Sequence, residues 1–261
     1  MKLRFLGTGT SQGIPLIGCD CSVCRSDNPK NRRYRTHAHL EMGGLNIQID
    51  AAPEFRLRAL EHRIPKIDVV LLTHGHADHI LGFDDMRRYC DLRKGEAIPV
   101  FTNDDGLERM RSIYPYAMRE RPAVRGYPAF SVRPMPETLE LEGGVGLVRS
   151  TSQDHGPFDT LGLVFEEFKS GSKIAYYTDC ASVSEEAEEL ARGADLVVLD
   201  GLRMNEHPSH MSIDMAVDAA RRIGAKRSFL IHMGHDVDHD RVNASLPEGV
   251  ELSYDNLVVE V

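Results

Sequence analysis

Four potential metal ligands lie within six residues, directly after an apolar stretch of the chain. Residues 67–72 read Ile-Asp-Val-Val-Leu-Leu, a run typical of a buried strand, and the ligands follow as His74-Gly75-His76-Ala77-Asp78-His79. The small residues between the ligands let the backbone curl, so that the ligands can face neighbouring points in space. Imidazole with carboxylate suits zinc, manganese or iron, and the absence of thiolate favours a hydrolytic site over a structural one. The cluster predicts two adjacent metal sites at a strand end.

The run from Thr73 to His79 resembles the T-H-x-H-x-D-H signature of the metallo-β-lactamase-fold hydrolases. This resemblance implies the fold class, an α/β protein built as a four-layer αββα sandwich. Periodicity alone supports only α/β. Three later candidate ligands occur along the chain in the same order as the ligands of that family, and each lies just beyond an apolar, strand-like run. They are His155, Asp179 and His232.

The same resemblance implies a complete set of ligands for two divalent ions. One ion would be held by His74, His76 and His155, and the other by Asp78, His79 and His232, with Asp179 bridging the two. The ions could be zinc or manganese, with iron possible. Asp50, at the end of another strand-like run, is expected to accept a hydrogen bond from a ligand imidazole.

A second group of candidate ligands, Cys19, Cys21 and Cys24, lies in an N-terminal loop over residues 18–25. Three thiols in so short a span do not easily pair with one another, which favours metal over a disulfide. A tetrahedral structural zinc needs a fourth ligand, for which His235 is the candidate. The arrangement resembles the phosphoribosyl cyclic phosphodiesterase (PhnP-like) branch of the superfamily. The alternative is a reduced loop without metal.

The segment His210-Met211-Ser212 resembles the H-x-S/T element of the phosphodiesterase branches. In those branches the histidine contacts the scissile phosphate and helps the leaving oxygen to depart. An imidazole can donate to a phosphoryl oxygen, so His210 joins Asp78 and Asp179 as an expected catalytic residue. Ser212 is also expected to cap the helix that follows. Whether the neighbouring His207 contacts substrate stays open.

Composition adds weaker expectations. The 261 residues, 41% of them hydrophobic, suffice for one α/β domain spanning residues 1–261. No signal peptide or membrane span is recognisable, and the five cysteines fit a reducing, cytoplasmic setting. The net charge of −9 disfavours a nucleic-acid partner, and we interpret the basic stretches 30–35 and 109–125 chiefly as solvated faces. A homodimer is the general expectation for such enzymes.

The hydrophobic pattern predicts alternating strands and helices. Strands are predicted at residues 3–8, 45–50, 67–73, 99–102, 146–149, 161–168, 173–178, 196–200 and 228–232, and near 250 and 257. Helices are predicted at residues 54–62, 79–90, 104–113, 184–192 and 213–223, and Ser184, which Glu185 and Glu186 follow, suits the N-terminal cap of its helix. Residues 114–136 are expected to form a loop that passes over the metal centre.

These features predict a two-metal phosphodiesterase in which a hydroxide shared by the ions attacks phosphorus. The branch resemblance implies a small cyclic phosphodiester on a phosphorylated ribose as the substrate. Three alternatives remain open: a transfer-RNA 3′-processing nuclease, a thioester or lactone hydrolase on the same fold, and a non-catalytic binding protein. The first would need a long basic arm that the sequence lacks, the second has no need for His210, and the third is expected to lose ligands.

Overall fold

A computed structural model describes residues 1–261 and shows two seven-stranded sheets. The first sheet has the order β14-β1-β2-β3-β4-β5-β6 and the second β13-β12-β11-β10-β9-β8-β7. The strands are β1 (Lys2–Gly7), β2 (His37–Met42), β3 (Leu45–Ile49), β4 (Val69–Leu71), β5 (Ile98–Thr102), β6 (Phe130–Pro134), β7 (Thr138–Glu140), β8 (Gly146–His155), β9 (Phe158–Glu167), β10 (Lys173–Tyr177), β11 (Leu196–Asp200), β12 (Arg227–Ile231), β13 (Val250–Leu252) and β14 (Val258–Glu260).

Seven α-helices connect the strands. They are α1 (Phe55–Glu61), α2 (Ala77–Ile80), α3 (Arg87–Leu92), α4 (Asp104–Ile113), α5 (Glu185–Ala191), α6 (Ile213–Ile223) and α7 (His239–Asn243). Short 3-10 turns occur at Pro29–Asn31, Phe83–Met86 and Glu142–Gly144. No helix is long and apolar enough to cross a membrane.

Three apolar clusters separate the layers. The central cluster contains Leu40 and Ile49 of the first sheet together with Phe165 and Val198 of the second, so the two sheets pack face to face. A second cluster lies between the other face of the second sheet and helices α5 and α6. A third lies between the first sheet and helices α1 to α4. The predicted four-layer αββα sandwich is confirmed.

Strand direction explains why distant residues meet. Strands β3 and β4 run parallel in the first sheet, and β10, β11 and β12 run parallel in the second. The chain therefore leaves all five strands at one edge of the sandwich, where side chains beyond the strand ends converge. Strand β8 runs antiparallel to β9, which runs antiparallel to β10, so β8 also ends at this edge.

Several predicted elements agree closely with the structure. Helix α6 begins after Ser212, whose side chain accepts a hydrogen bond from the amide of Met215, and it ends at Gly224 in the left-handed conformation. Ser184 caps α5 in the same way, by accepting from the amide of Ala187. The two caps that the sequence predicted are confirmed.

The prediction of one continuous helix over residues 79–90 is wrong. The segment divides into α2, a 3-10 turn and α3. The break falls at Gly82, whose amide donates to the carbonyl of Ala51 and where a Cβ atom would lie 2.1 Å from the carbonyl oxygen of Ala52. Close backbone packing, which periodicity does not report, interrupts the helix.

The expected loop at residues 114–136 does not pass over the ligands. The amide of Ala97 donates to the carbonyl of Glu120, and that of Ile98 to the carbonyl of Ala129, at the beginning of β5. The ligands follow the ends of strands, on the opposite side. Strand β6 runs parallel to β5, so the connection after α4 has to return to the edge of the sheet at which β5 begins.

The interpretation of residues 30–35 as a solvated face is wrong for Arg33, which is only 1% exposed. Its guanidinium donates to the carbonyls of Gly234 and Val237 at 2.9 and 2.6 Å, and to the side-chain oxygen of Asn31. Arg33 therefore fixes the turn after β12, which carries two predicted ligands.

Candidate metal centre

Local contacts hold the turn between β4 and α2 in place. The amide and hydroxyl of Thr73 donate to the carboxylate of Asp50 at 2.7 and 2.9 Å. The amide of Gly75 donates to Asp105 at 3.1 Å, and any Cβ at Gly75 would clash with Asp105 and Arg109. His76 then occupies the N-cap position of α2. Glycine is required here because α4 packs directly on the ligand turn.

The first ligand group consists of His74, His76 and His155, whose ligand atoms lie within 4.8 Å of one another. Nε2 of His155 is 3.2 Å from Nδ1 of His76. Two imidazoles bound to one tetrahedral zinc have their nitrogen atoms about 3.3 Å apart, given Zn–N bonds of 2.0–2.1 Å. The spacing therefore fits shared coordination.

The second ligand group consists of Asp78, His79, Asp179 and His232, also within 4.8 Å of one another. Nε2 of His79 lies 3.2 Å from Oδ2 of Asp78 and 3.3 Å from Oδ2 of Asp179. The same oxygen of Asp179 lies 3.9 Å from Nε2 of His74 in the first group. Asp179 therefore stands between the groups, where the resemblance placed a bridging carboxylate.

Buried polar atoms without partners show that the pocket suits cations. Nε2 of His74, Nε2 of His79 and Oδ2 of Asp78 are buried and make no hydrogen bond. Leaving such atoms unsatisfied is costly, and metal coordination satisfies all of them at once. The two ligand groups are able to bind metal ions, and nitrogen with oxygen donors suits zinc or manganese.

The electrostatics favour ionised carboxylates in the second group. Burial opposes the charge on Asp179, but the imidazoles of His232 and His79 outweigh it and hold the pKa of Asp179 well below its ordinary value. Burial likewise would lower the pKa of His79, but Asp179 and Asp78 raise it well above the ordinary range. Burial holds the pKa of His74 well below its ordinary value, so this imidazole is neutral and its lone pair is free.

A shell of hydrogen bonds orients the imidazoles. Nδ1 of His79 is 2.7 Å from Oδ2 of Asp50, as the sequence predicted, and Nδ1 of His155 is 2.8 Å from the carbonyl oxygen of Ser209. Nδ1 of His232 is 3.0 Å from the hydroxyl of Thr36. Contacts of this kind fix which ring nitrogen faces a metal.

Three strand-end residues adopt the left-handed conformation without being glycine. They are Asp50 after β3, Asp179 after β10 and His232 after β12, with φ of 56°, 54° and 65°. Such backbone costs free energy and persists where the surroundings hold it. All three belong to the ligand groups or contact them directly.

His210 lies beside the ligand groups, as predicted. Its ring centroid is 4.7 Å from that of His155 and 4.9 Å from that of His232. Nδ1 of His210 is 2.6 Å from Oδ2 of Asp200, which also accepts the amide of Cys180 at 2.9 Å. Burial would lower the pKa of His210, but Asp200 raises it to about 9. The imidazole can therefore donate a proton from Nε2 while Nδ1 is held by Asp200.

Asp200, the hydrogen-bond partner of His210, is a residue of this site that sequence reasoning missed. It ends the apolar run of β11, the same placement that singled out Asp50 and Asp179. That signal was present in the sequence, but no short motif joins Asp200 to His210 across the intervening loop.

The cysteine station comprises Cys19, Cys21, Cys24 and His235, and the structure brings all four together. Nδ1 of His235 lies 3.4 Å from Sγ of Cys19 and 3.5 Å from Sγ of Cys21. A sulfur and a nitrogen bound to one tetrahedral zinc are about 3.6 Å apart, given bonds of 2.3 and 2.0–2.1 Å. A hydrogen bond from the amide of Cys24 lowers the pKa of Cys21 to about 6, which favours the thiolate that a metal needs.

Comparison with known proteins adds a family description. Residues 45–233 match the family described as the Beta-lactamase superfamily domain. A solved structure of "a New Diphosphatase from the PhnP Family" has 34% sequence identity and a TM-score of 0.89, and the match covers 100% of this chain and 97% of that one. Zn(2+)-bound PqqB from Methylobacterium extorquens shares the fold, with 18% identity, a TM-score of 0.79 and full coverage of both chains.

One curated relative is longer than this chain. An octanoyltransferase from Porphyromonas gingivalis is 34% identical over 260 residues, which are 98% of this chain and 51% of that protein. The chain therefore spans about half the length of this relative.

Proposed function

Because the chain belongs to the beta-lactamase superfamily and, within it, to the PhnP family of metal-dependent hydrolases, we propose that it is a phosphodiesterase. The substrate we propose is a small cyclic phosphodiester on a phosphorylated sugar, similar to phosphoribosyl 1,2-cyclic phosphate. The observation that carries the proposal is the His210–Asp200 pair, which lies directly beside both ligand groups. A thioester releases a weakly basic thiolate, which does not require a proton donor at this position.

Two divalent ions, zinc or manganese, would occupy the ligand groups. The ligands would be His74, His76 and His155 for one ion, and Asp78, His79 and His232 for the other, with Asp179 between the two groups. When bound, such ions supply Lewis-acid polarisation of phosphoryl oxygens and lower the pKa of water. A third ion, a structural zinc, would occupy the cysteine station.

The chain's own residues supply positioning and a proton. His210 donates from Nε2 to the oxygen that leaves phosphorus, and the carboxylate of Asp200 stabilises the imidazolium at Nδ1. Asp50 and the carbonyl of Ser209 keep His79 and His155 in the orientation needed for coordination. The surrounding left-handed strand ends hold these groups in place before substrate arrives.

A diphosphatase is the second candidate, because the similar structure of 34% identity carries that description. Both reactions cleave a bond from phosphorus to a bridging oxygen, and they differ in the leaving group. Phosphate leaves more readily than an alkoxide, so proton donation by His210 would contribute less to diphosphate cleavage.

Two other activities receive less support. The name octanoyltransferase belongs to a protein of which this chain matches half. A transfer-RNA nuclease would require a basic surface, whereas the net charge of this chain is −9.

A substrate panel tests the proposal. Metal-loaded protein would be offered a five-membered cyclic phosphodiester, a diphosphate diester, a thioester and a lactone. We expect kcat/KM to be highest for the cyclic phosphodiester, and we expect His210→Ala to reduce that rate about 100-fold or more. His62→Ala, at the C-terminal end of α1, is the matched control and should leave the rate unchanged. Preferred turnover of the thioester or lactone would refute the proposal, and preferred turnover of the diphosphate would select the second candidate.

A further inference from the structure

A cavity of about 430 Å³ opens beside His210. Three chain segments enclose it: residues 10–16 after β1, residues 202–207 after β11, and residues 234–236 after β12. The volume lies within the range of small-molecule sites, which is about 300–1,000 Å³. His210 contributes to the lining, so the cavity adjoins the position where the scissile bond would lie.

The lining of the cavity is polar and contains a cationic side chain, that of Arg203. Leu16 and Leu202 are the two apolar side chains, whereas Gln12, Arg203, Asn205 and His207 supply hydrogen-bonding groups. The lining also contains one carboxylate, that of Asp236, which is exposed. Its Oδ1 lies 3.1 Å from the position that a Cβ atom on Gly234 would occupy. A polar lining of this kind disfavours an acyl chain and suits a hydroxylated or phosphorylated ligand.

Two hydrogen bonds hold the guanidinium of Arg203 and leave other N–H donors of the group without a partner in the chain. Its Nε donates to the carbonyl of Asn205 at 3.2 Å and its Nη2 to the carbonyl of Glu206 at 2.6 Å. Nη1 makes no hydrogen bond within the chain, although the side chain is partly buried against the cavity. Guanidinium groups fixed in this way bind phosphate oxygens with little further loss of conformational freedom.

Another part of the cavity wall contacts the cysteine station. The amide of Leu16 lies 3.3 Å from Sγ of Cys24, and His235 belongs both to the station and to the lining. Arg33 holds the neighbouring Gly234 through its carbonyl at 2.9 Å. These contacts hold the part of the wall that Leu16, Gly234 and His235 form.

We infer that this cavity binds the part of the substrate attached to the scissile phosphorus, and that Arg203 binds a second anionic group there, such as a phosphate monoester. The inference rests on the proposed phosphodiesterase function and adds the residue that recognises the second phosphate of its substrate. Arg203 is thus a specificity-determining residue.

Two substrates that differ in one phosphate test this inference. They are a five-membered cyclic phosphodiester of ribose with a free primary hydroxyl, and the same compound phosphorylated at that hydroxyl. We expect wild-type protein to prefer the phosphorylated compound, measured as the ratio of the two kcat/KM values. Arg203→Met should lower this ratio about tenfold or more, mainly through KM of the phosphorylated compound, and Arg203→Lys should retain part of it.

The control variant is Arg221→Met, on the exposed surface of α6, which should leave the ratio of the two kcat/KM values as in the wild type. A general loosening of the loop by Arg203→Met would lower both rates equally and leave the ratio unchanged, which would overturn the inference. So would a wild-type protein that hydrolyses both compounds with no preference. If the wild type hydrolyses neither, the phosphodiesterase proposal itself fails.

Discussion

Nδ1 of His210 lies 2.6 Å from Oδ2 of Asp200, the last residue of β11. The carboxylate is fully buried, and its position is fixed by the amide of Cys180. The pair joins the loop after β11 to the parallel strands that deliver the metal ligands. In the proposed mechanism, proton donation to a leaving oxygen thus depends on a residue that has no direct contact with substrate.

Replacing this carboxylate tests the positioning role. We expect Asp200→Asn to reduce kcat for a cyclic phosphodiester with an alkoxide leaving group about 10- to 100-fold, because the imidazolium loses its countercharge. The reduction should be much smaller for bis-p-nitrophenyl phosphate, whose leaving group needs little protonation. Equal reductions for the two substrates would show that Asp200 has only a structural role.

The hydrogen bond between Asp50 and His79 is expected to support metal affinity. Asp50→Asn should weaken binding at the second ligand group about 10- to 100-fold, because the ring of His79 loses its orienting carboxylate. Competition with a chromophoric chelator would measure this. Asp68→Asn, at the other end of the first sheet, is the control and should not change the affinity. Unaltered affinity in Asp50→Asn would contradict the account.

The cysteine station is expected to stabilise the fold. Cys21→Ser should lower Tm and abolish its dependence on bound zinc at this station, because the loop then loses its attachment to His235. Differential scanning calorimetry with and without a chelator would show the effect. Cys90→Ala, a buried cysteine in α3, is the control for general destabilisation and should retain the zinc-dependent shift in Tm. The ions of the two ligand groups leave a smaller zinc-dependent shift in Cys21→Ser, so a shift as large as that of the wild type would be incompatible with this role.

The raised pKa of Asp255 predicts that the stability of the fold depends on pH. Burial raises the pKa of Asp255 to about 7, although the amide of Tyr34 and the hydroxyl of Thr8 donate to it. The folded state therefore binds a proton that the unfolded state, with a pKa near 3.9, has lost, so stability falls as pH rises from about 4 to 7. Because the residue keeps some solvent contact, we expect a slope below the limit of about 1.4 kcal/mol per pH unit.

Urea denaturation of chelator-treated protein measures this slope. In Asp255→Asn the contribution should vanish, so the unfolding free energy of the wild type minus that of the variant should fall as pH rises from about 4 to 7. A difference that stays constant over this range would mean that Asp255 does not bind the proton.

The convergence of the candidate ligands was predictable because part of its signal is local, and family order supplied the rest. His74 to His79 form one dense cluster, and the later ligands each follow an apolar strand, so family order sufficed to place them. The caps at Ser184 and Ser212 were predictable for the same reason, since each depends on neighbouring residues.

Features that depend on contacts between distant segments escaped prediction. The role of Arg33 depends on carbonyls about two hundred positions later in the chain, and Asp200 reaches His210 across a loop. Strand β8 continues to His155 instead of ending at Arg149, because pairing with β9 sustains polar residues that periodicity does not assign to a strand. The break at Gly82 likewise reflects the packing of Ala51 and Ala52.

Metal stoichiometry tests the central claim most directly. Mass-spectrometric metal analysis of protein saturated with zinc and freed of excess ion should find three ions per wild-type chain, one for each ligand group and one for the cysteine station. Asp179→Ala should retain the ion of the cysteine station and lose those of the ligand groups. A wild-type chain that holds a single ion, or an Asp179→Ala variant that keeps all three, would contradict the account.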